Sequence, residues 1–270
     1  MIQSTSTVRL FQHALMAWVL LFTLFSWVGS GGANVLLISP PWVPPGPLKY
    51  ITHALVLLPE GIGAIALLIA PWVLIALSAW ELWQGGCWWR RALVWWLFLN
   101  LMNAAWLAGS GGQQLAANML LWSALLAMRT ERARFLGFWA IRLQLLLAYL
   151  ATALHKLTGT HWVDGTGLGI AATDQAFGPD WIASFPTAAR LVTWSVLLFQ
   201  LTFSIAMWFR SLRIPWMIFG IAFHLGTAIW MDIPEMGFAF VACYAIWLDD
   251  EHASRIMRIV RREKSASTPG

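Results

Sequence analysis

Most of this 270-residue chain is taken up by eight apolar stretches, near residues 10–29, 54–80, 90–108, 113–128, 134–156, 187–209, 214–231 and 233–248. A helix needs about 20 apolar residues to cross the hydrocarbon core of a bilayer. With 59% hydrophobic and 11% charged residues, the chain has too little polar surface to cover itself in water. The predicted fold class is therefore all-α, a polytopic membrane helix bundle of about eight transmembrane helices over residues 1–250, with a basic cytoplasmic tail over 251–270. The fourth and eighth stretches are short. Pro71, inside the second, predicts a kink rather than a break, because neighbouring helices can satisfy the freed carbonyl. Arg9 gives the first stretch a thin positive flank and no small-x-small cleavage site follows, so it reads as an uncleaved helix rather than a signal peptide.

The charges between the stretches set an orientation. Arg90 and Arg91 follow the second stretch, Arg129, Arg132 and Arg134 the fourth, and Arg210 and Arg213 the sixth. Arg255, Arg258, Arg261, Arg262 and Lys264 follow the last. The alternate connections carry only Lys49, Lys156 and Arg190, together with Asp164, Asp174, Asp180, Asp232 and Glu235. Arginine-rich connections stay in the cytoplasm, which places both termini there, in a bacterial inner (cell) membrane, with an even number of crossings. Lys156 then lies at the outer end of the fifth helix.

Several function classes drop out. The net charge of +5 sits in short clusters between apolar stretches, a topology signal rather than a nucleic-acid footprint. Cys87 and Cys243 form no C-x-x-C pair, so neither thiol redox chemistry nor a thiolate metal site is expected. The histidines at 13, 53, 155, 161, 224 and 252 have no metal-ligand spacing, and no metal is predicted. There is no H-E-x-x-H, G-x-S-x-G, phosphate loop or dinucleotide fingerprint.

The polar residues inside the stretches carry the functional expectation. Arg142, Tyr149 and Lys156 are seven residues apart and share one stripe of the fifth helix, with Thr152 between them. A charge at membrane depth is costly, so the stripe is expected to face the protein interior or a wet cavity. As plain end anchors, Arg142 would snorkel inward and Lys156 outward; Arg142 fits that role better than Lys156 does. Glu60, Asn103 and Asn118 are expected toward the same outer side, with His224 near the middle of the seventh helix. Each singly is an ordinary packing residue; their shared outward bias is the signal. Burial favours the neutral form of a lysine, which is the form a general base needs. In the long connection from Thr158 to Pro186, His161, Trp162, Phe177 and Trp181 read either as an interfacial anchor or as a lid over Lys156.

With these residues in view, YLATALHKLTGTHWVDGTGL, Tyr149 to Leu168, resembles the Tyr…Lys-Leu…Trp…Gly signature of the HTTM domain. That is the membrane domain of vitamin K-dependent gamma-glutamyl carboxylase. FHLGTAIWMDIPEMGFAFVACYAIWL, Phe223 to Leu248, resembles the family's His…Phe…Tyr helix pair. The similarity is read from the first stretch to about Trp247, and the Lys-Leu-x-x-x-x-Trp-x-x-Gly core is its most specific part. The resemblance implies that Lys156 is the base that deprotonates reduced vitamin K on the outer side, where reaction with oxygen yields the strong base that removes a glutamate γ proton before carbon dioxide adds. Around that lysine, the outward cluster of polar residues gives His224 as a second catalytic group and Tyr149, Glu60, Asn118, His161 and Trp162 as the expected cofactor-binding residues. The large lumenal region of the animal carboxylases has no counterpart here, which leaves substrate and reaction open. Two classes remain: a quinol-dependent, lyase-like membrane enzyme acting on a secreted peptide or protein, with reduced vitamin K or another quinol as cofactor, or a non-catalytic membrane partner in peptide maturation or export, as for bacterial relatives that help mature a secreted toxin. A small transporter is weaker, because no repeated pair of interrupted half-helices supports it.

Overall fold

A computed structural model describes residues 5–29, 43–106, 109–174, 178 and 180–266. Among them the fold is all-helical, with no strand. The helices in order are α1 (Thr5–Thr23, running into a π-turn Leu24–Gly29), α2 (Lys49–Thr52), α3 (Glu60–Gln84), α4 (Trp88–Ala104), α5 (Gly111–Leu126), α6 (Glu131–Leu157), α7 (Thr160–Val163), α8 (Gly167–Thr173), α9 (Pro186–Ala206), α10 (Arg210–Trp230), α11 (Pro234–Tyr244) and α12 (Asp250–Ala266). Short 3₁₀ turns occupy Asp180–Ser184 and Ala245–Trp247.

Among the described residues five helices are long and apolar enough to cross a membrane: the first, over Ser6–Trp27, then α3, α6, α9 and α10. The other three predicted spans fold as shorter helices, α4 of 17 residues, α5 of 16 and α11 of 11. The reason shows in α5, where Gly112, Gln113, Leu115, Ala116, Ala117, Met119, Leu120, Ser123, Ala124 and Leu126 are all buried. Protein rather than lipid surrounds this helix, so neither its length nor its composition has to match a bilayer. By contrast α3 turns Ile62, Ile65, Leu68, Ile69, Trp72 and Val73 outward, an apolar face too large to leave in water. The second predicted span begins six residues later than expected. Pro59 is extended (φ −50°, ψ 142°), and the helix starts only at Glu60. Pro71 is accommodated inside α3.

Consecutive helices pack side by side, α3 on α4, α4 on α5, α5 on α6, α6 on α9, α9 on α10 and α10 on α11. The ring closes where α11 meets α1 and α5, and α1 meets α3. The ends alternate. Ser6 N–H donates to Asp250 Oδ1 at 3.3 Å and Arg210 Nη2 donates to Asp249 Oδ2 at 3.4 Å, tying the start of α1, the start of α10 and the start of α12 to one end. Midway along the first span the Trp18 indole donates to the Glu235 carbonyl at 3.1 Å, where α11 begins. The start of α1 and the segment after α11 are therefore neighbours.

The arginine-rich end is not merely a row of loop charges. Glu81 at the end of α3 accepts from Arg90 Nε at 2.6 Å through one oxygen and from Arg91 Nε at 2.9 Å through the other. The carboxylate is fully buried, and Arg91 reaches on to the Ser123 carbonyl at 3.4 Å. Near the opposite end, buried Asn100 donates to the Ile51 and Trp96 carbonyls and accepts the Leu55 N–H, fastening the chain before α3 to α4. Asn103 donates to the Thr52 carbonyl at 2.8 Å beside it.

Candidate functional site

The seven-residue stripe of α6 meets three different environments. Arg142, nearest the arginine-rich end, donates from Nε and Nη2 to the Ile246 carbonyl at 3.2 and 3.1 Å. Its guanidinium lies over the rings of Phe138 (4.2 Å) and Trp247 (4.6 Å). It thus caps a carbonyl left free where α11 ends, instead of snorkelling to the surface.

One heptad on, Tyr149 is 1% exposed at the centre of an aromatic core. Phe203, Phe240 and Phe199 pack on its ring at centroid distances of 4.1, 5.2 and 5.4 Å. Its hydroxyl is hydrogen-bonded to His224 Nε2 at 2.6 Å and, by a very short bond, to the Tyr244 hydroxyl. His224, 2% exposed, stacks on Phe240 at 4.6 Å and 15°. Its Nδ1 has no hydrogen-bond partner among the described residues. A phenol oxygen donates once and accepts, so one proton arrangement runs Tyr244 to Tyr149 to His224 and the other runs the opposite way. Either way Tyr149 is the shared node, and α6, α10 and α11 are joined through it. Two glycines permit this approach. A Cβ at Gly220 would overlap the Tyr244 hydroxyl, and one at Gly237 would overlap the His224 carbonyl.

At the far end of the stripe Lys156 is half-buried, with its ammonium over the Trp162 ring at 4.0 Å. No carboxylate among the described residues lies within ion-pair distance of it. The Trp162 segment is built by α7 and α8 and pinned to α9: the Trp194 indole donates to the Val163 carbonyl at 3.0 Å, and Leu168 N–H donates to Thr193 Oγ1 at 3.1 Å. Gly165, at φ +84°, lies against Arg190 and Trp194, where any side chain would collide. The Asp164 carboxylate accepts from Thr166 Oγ1 at 2.6 Å and from its N–H at 2.8 Å. Those bonds hold the fully exposed Asp164 carboxyl below its ordinary value, with smaller help from His161 and Arg190.

The structure therefore brings Lys156, Trp162, Tyr149 and His224 into one region. His161 sits exposed at its rim, with Nδ1 3.1 Å from Thr166 Oγ1. Glu60 is exposed in the first turn of α3, whose main neighbours are α1 and α4, and Asn118 is exposed on α5, so neither joins the cluster. Trp181 is exposed with its ring against Phe185. Phe177 falls outside the described residues. Cys87 and Cys243 are free, the second fully buried in α11. No group of three or more His, Cys, Asp or Glu side chains among the described residues is placed to hold a metal ion. Residue-by-residue reading missed Tyr244, although the chain has only three tyrosines and a phenol in apolar surroundings needs a partner.

A bundle of apolar helices enclosing a Tyr-His-Tyr cluster, with an unpaired lysine at its rim, is the interior of a polytopic membrane protein. The chain belongs to the HTTM family: the family model of the HTTM domain, the domain found in vitamin K-dependent carboxylase, matches residues 96–251. The match holds Tyr149, Lys156, Trp162, His224 and Tyr244 and leaves out α1 and α3, so it begins later than the similarity read from the sequence. No curated protein and no solved structure matches the chain.

Proposed function

We propose that this HTTM-family protein is an eight-crossing enzyme of a bacterial-type inner membrane, with both termini cytoplasmic, that uses a lipid quinol at its outer face to modify a secreted peptide. The observation that carries the reading is Lys156: a cation with no carboxylate partner among the described residues, covered by an indole, at the rim of a buried polar cluster. A structural lysine at a helix end would reach water or a headgroup. One held against the Trp162 ring keeps its amine at the rim of the cluster, where it can exchange a proton with a bound molecule.

The residues present suit an aromatic diol. Trp162 offers a flat ring beside the Lys156 amine, and the rim segment can exclude water. A bound quinol, reduced vitamin K among the candidates, would supply an acidic hydroxyl and two electrons, with oxygen as the electron acceptor. Lys156 takes the proton; the Tyr149–His224–Tyr244 cluster fixes the α6 stripe that carries it. Because Tyr149 and His224 are sealed, a quinol ring would meet Lys156 rather than the cluster, and the Trp162 segment beside it would serve as a lid. Two observations support the topology: the start of α1 lies beside the segment after α11, as an even number of crossings requires, and Arg9, Arg210 and Arg258 lie at that end.

The test is oxidation of a reduced quinone by protein in proteoliposomes. Removing a general base typically costs about 10²–10⁴-fold, so Lys156→Ala and Lys156→Arg should both lose at least about a hundredfold. A guanidinium keeps the charge but cannot serve as a neutral base. Full activity of Lys156→Arg in a peptide-maturation assay would favour the second reading, a non-catalytic docking protein whose lysine anchors an acidic peptide or lipid.

A further inference from the structure

At the arginine-rich end, α1 and α12 enclose a cleft of about 170 Å³ lined by Ser6, Arg9, Ser254, Met257 and Arg258. Its walls are fixed. Ser254 Oγ–H donates to Ser6 Oγ at 2.9 Å, Thr7 Oγ1–H donates to the Leu248 carbonyl at 3.0 Å, and Asp250 accepts the Ser6 N–H. Arg9 and Arg258 are exposed, and no ion pair joins either to a carboxylate among the described residues. Two guanidiniums facing one small cleft repel each other unless an anion lies between them, and their planar forks match the oxygens of a phosphate.

The helix that supplies Arg258 also says where that phosphate comes from. In α12, Ala253 is wholly buried and Met257 lines the cleft, while Ile256 (39% exposed) and Ile259 (56%) turn outward beside Arg255 and Arg258. Apolar residues exposed next to arginines, on a helix packed against the start of a membrane-spanning helix, have the pattern of a helix resting in the headgroup layer. A soluble anion would not require that exposed isoleucine pair. We propose that the α1–α12 cleft binds the phosphate of an anionic membrane phospholipid, with α12 seated on the bilayer through Ile256 and Ile259.

The experiment uses the full-length protein in neutral detergent, with its melting temperature followed as phosphatidylglycerol, phosphatidylcholine or inorganic phosphate is added. Phosphatidylglycerol should raise Tm of the wild type by several degrees, phosphatidylcholine and inorganic phosphate far less. The variant R9Q/R258Q should lose most of the shift, while R129Q/R132Q, which removes two exposed arginines elsewhere, should keep it. Equal shifts from phosphatidylglycerol and phosphatidylcholine would overturn the site, as would an unchanged shift in R9Q/R258Q or an equal loss in R129Q/R132Q. A full shift from inorganic phosphate alone would reject the lipid as its source.

Discussion

Tyr149→Phe isolates the node of the buried cluster, because it removes one oxygen and keeps the ring. The contacts with Phe199, Phe203 and Phe240 survive, so the change is read in hydrogen bonds rather than packing. Two bonds go, one to His224 and one to Tyr244. Side-chain bonds inside membrane proteins average about 0.6 kcal/mol and reach about 1.7 kcal/mol. With both partners sealed from solvent, the pair should be worth about 1–3 kcal/mol. Tyr244→Phe breaks one bond and leaves Tyr149 paired with His224, so it should cost roughly half as much. The double variant should cost little more than Tyr149→Phe alone, since the second change removes a hydroxyl already left without its partner. Reversible unfolding in mixed micelles of dodecyl sulfate, followed by helicity, measures all three. Equal single costs that simply add would show that the Tyr149 hydroxyl is not shared between His224 and Tyr244.

Two further outcomes follow from the charged groups. Glu81→Gln strands two buried guanidiniums and should destabilise by about 3–5 kcal/mol in the same unfolding assay, whereas Arg90→Met, which leaves the Glu81–Arg91 pair intact, should cost clearly less; a Glu81→Gln loss below about 1 kcal/mol would refute the triad as a structural unit. Asp249 accepts from His252 Nδ1 at 2.5 Å and from its N–H at 3.1 Å, and these bonds hold its carboxyl below the ordinary value, with Arg210 adding to the effect. A lowered folded value means that the stabilisation of the α12 start is complete above the unfolded carboxylate value of about 4 and drains away as pH falls through the folded one. Amide exchange at the start of α12, corrected for intrinsic rates, should accelerate below about pH 4 in the wild type and lose that step in Asp249→Asn.

Helix positions were legible because apolar runs and arginine clusters report on the solvent each residue meets. Apolarity alone did not fix where α3 begins, because the turn before Pro59 is as greasy as the helix after it. Partners were harder to see. The spacing of Arg142, Tyr149 and Lys156 placed them on one stripe, but their neighbours come from Ile246, Tyr244 and Trp162, and only Trp162 is close in sequence. Residues 75 and 95 positions from Tyr149 complete its cluster, and no local pattern encodes such a pairing. Glu81 was hidden for a related reason: adjacent arginines after an apolar run read as loop charges, and only the fold reveals that they turn back on a carboxylate. Asn118 shows the converse, since a polar residue in an apolar run turned out to be exposed on a largely buried helix.

The burial of the cluster also separates the two kinds of residue that a family signature groups together. Tyr149 and His224 are closed off by Phe199, Phe203, Phe223 and Phe240, so a bound molecule cannot touch the Tyr149 hydroxyl without unpacking the core. Lys156 has the indole of Trp162 over it, on a short segment held to α9 by hydrogen bonds. Under the proposed function, changes at Lys156 and Trp162 therefore act on rate, while changes at Tyr149 and Tyr244 act first on stability and reach the rate only through the position of α6. His224 stands between, with one nitrogen committed to Tyr149 and the other unbonded among the described residues. It can belong to the chemistry only if movement of the Trp162 lid opens a path from Lys156 to that second nitrogen.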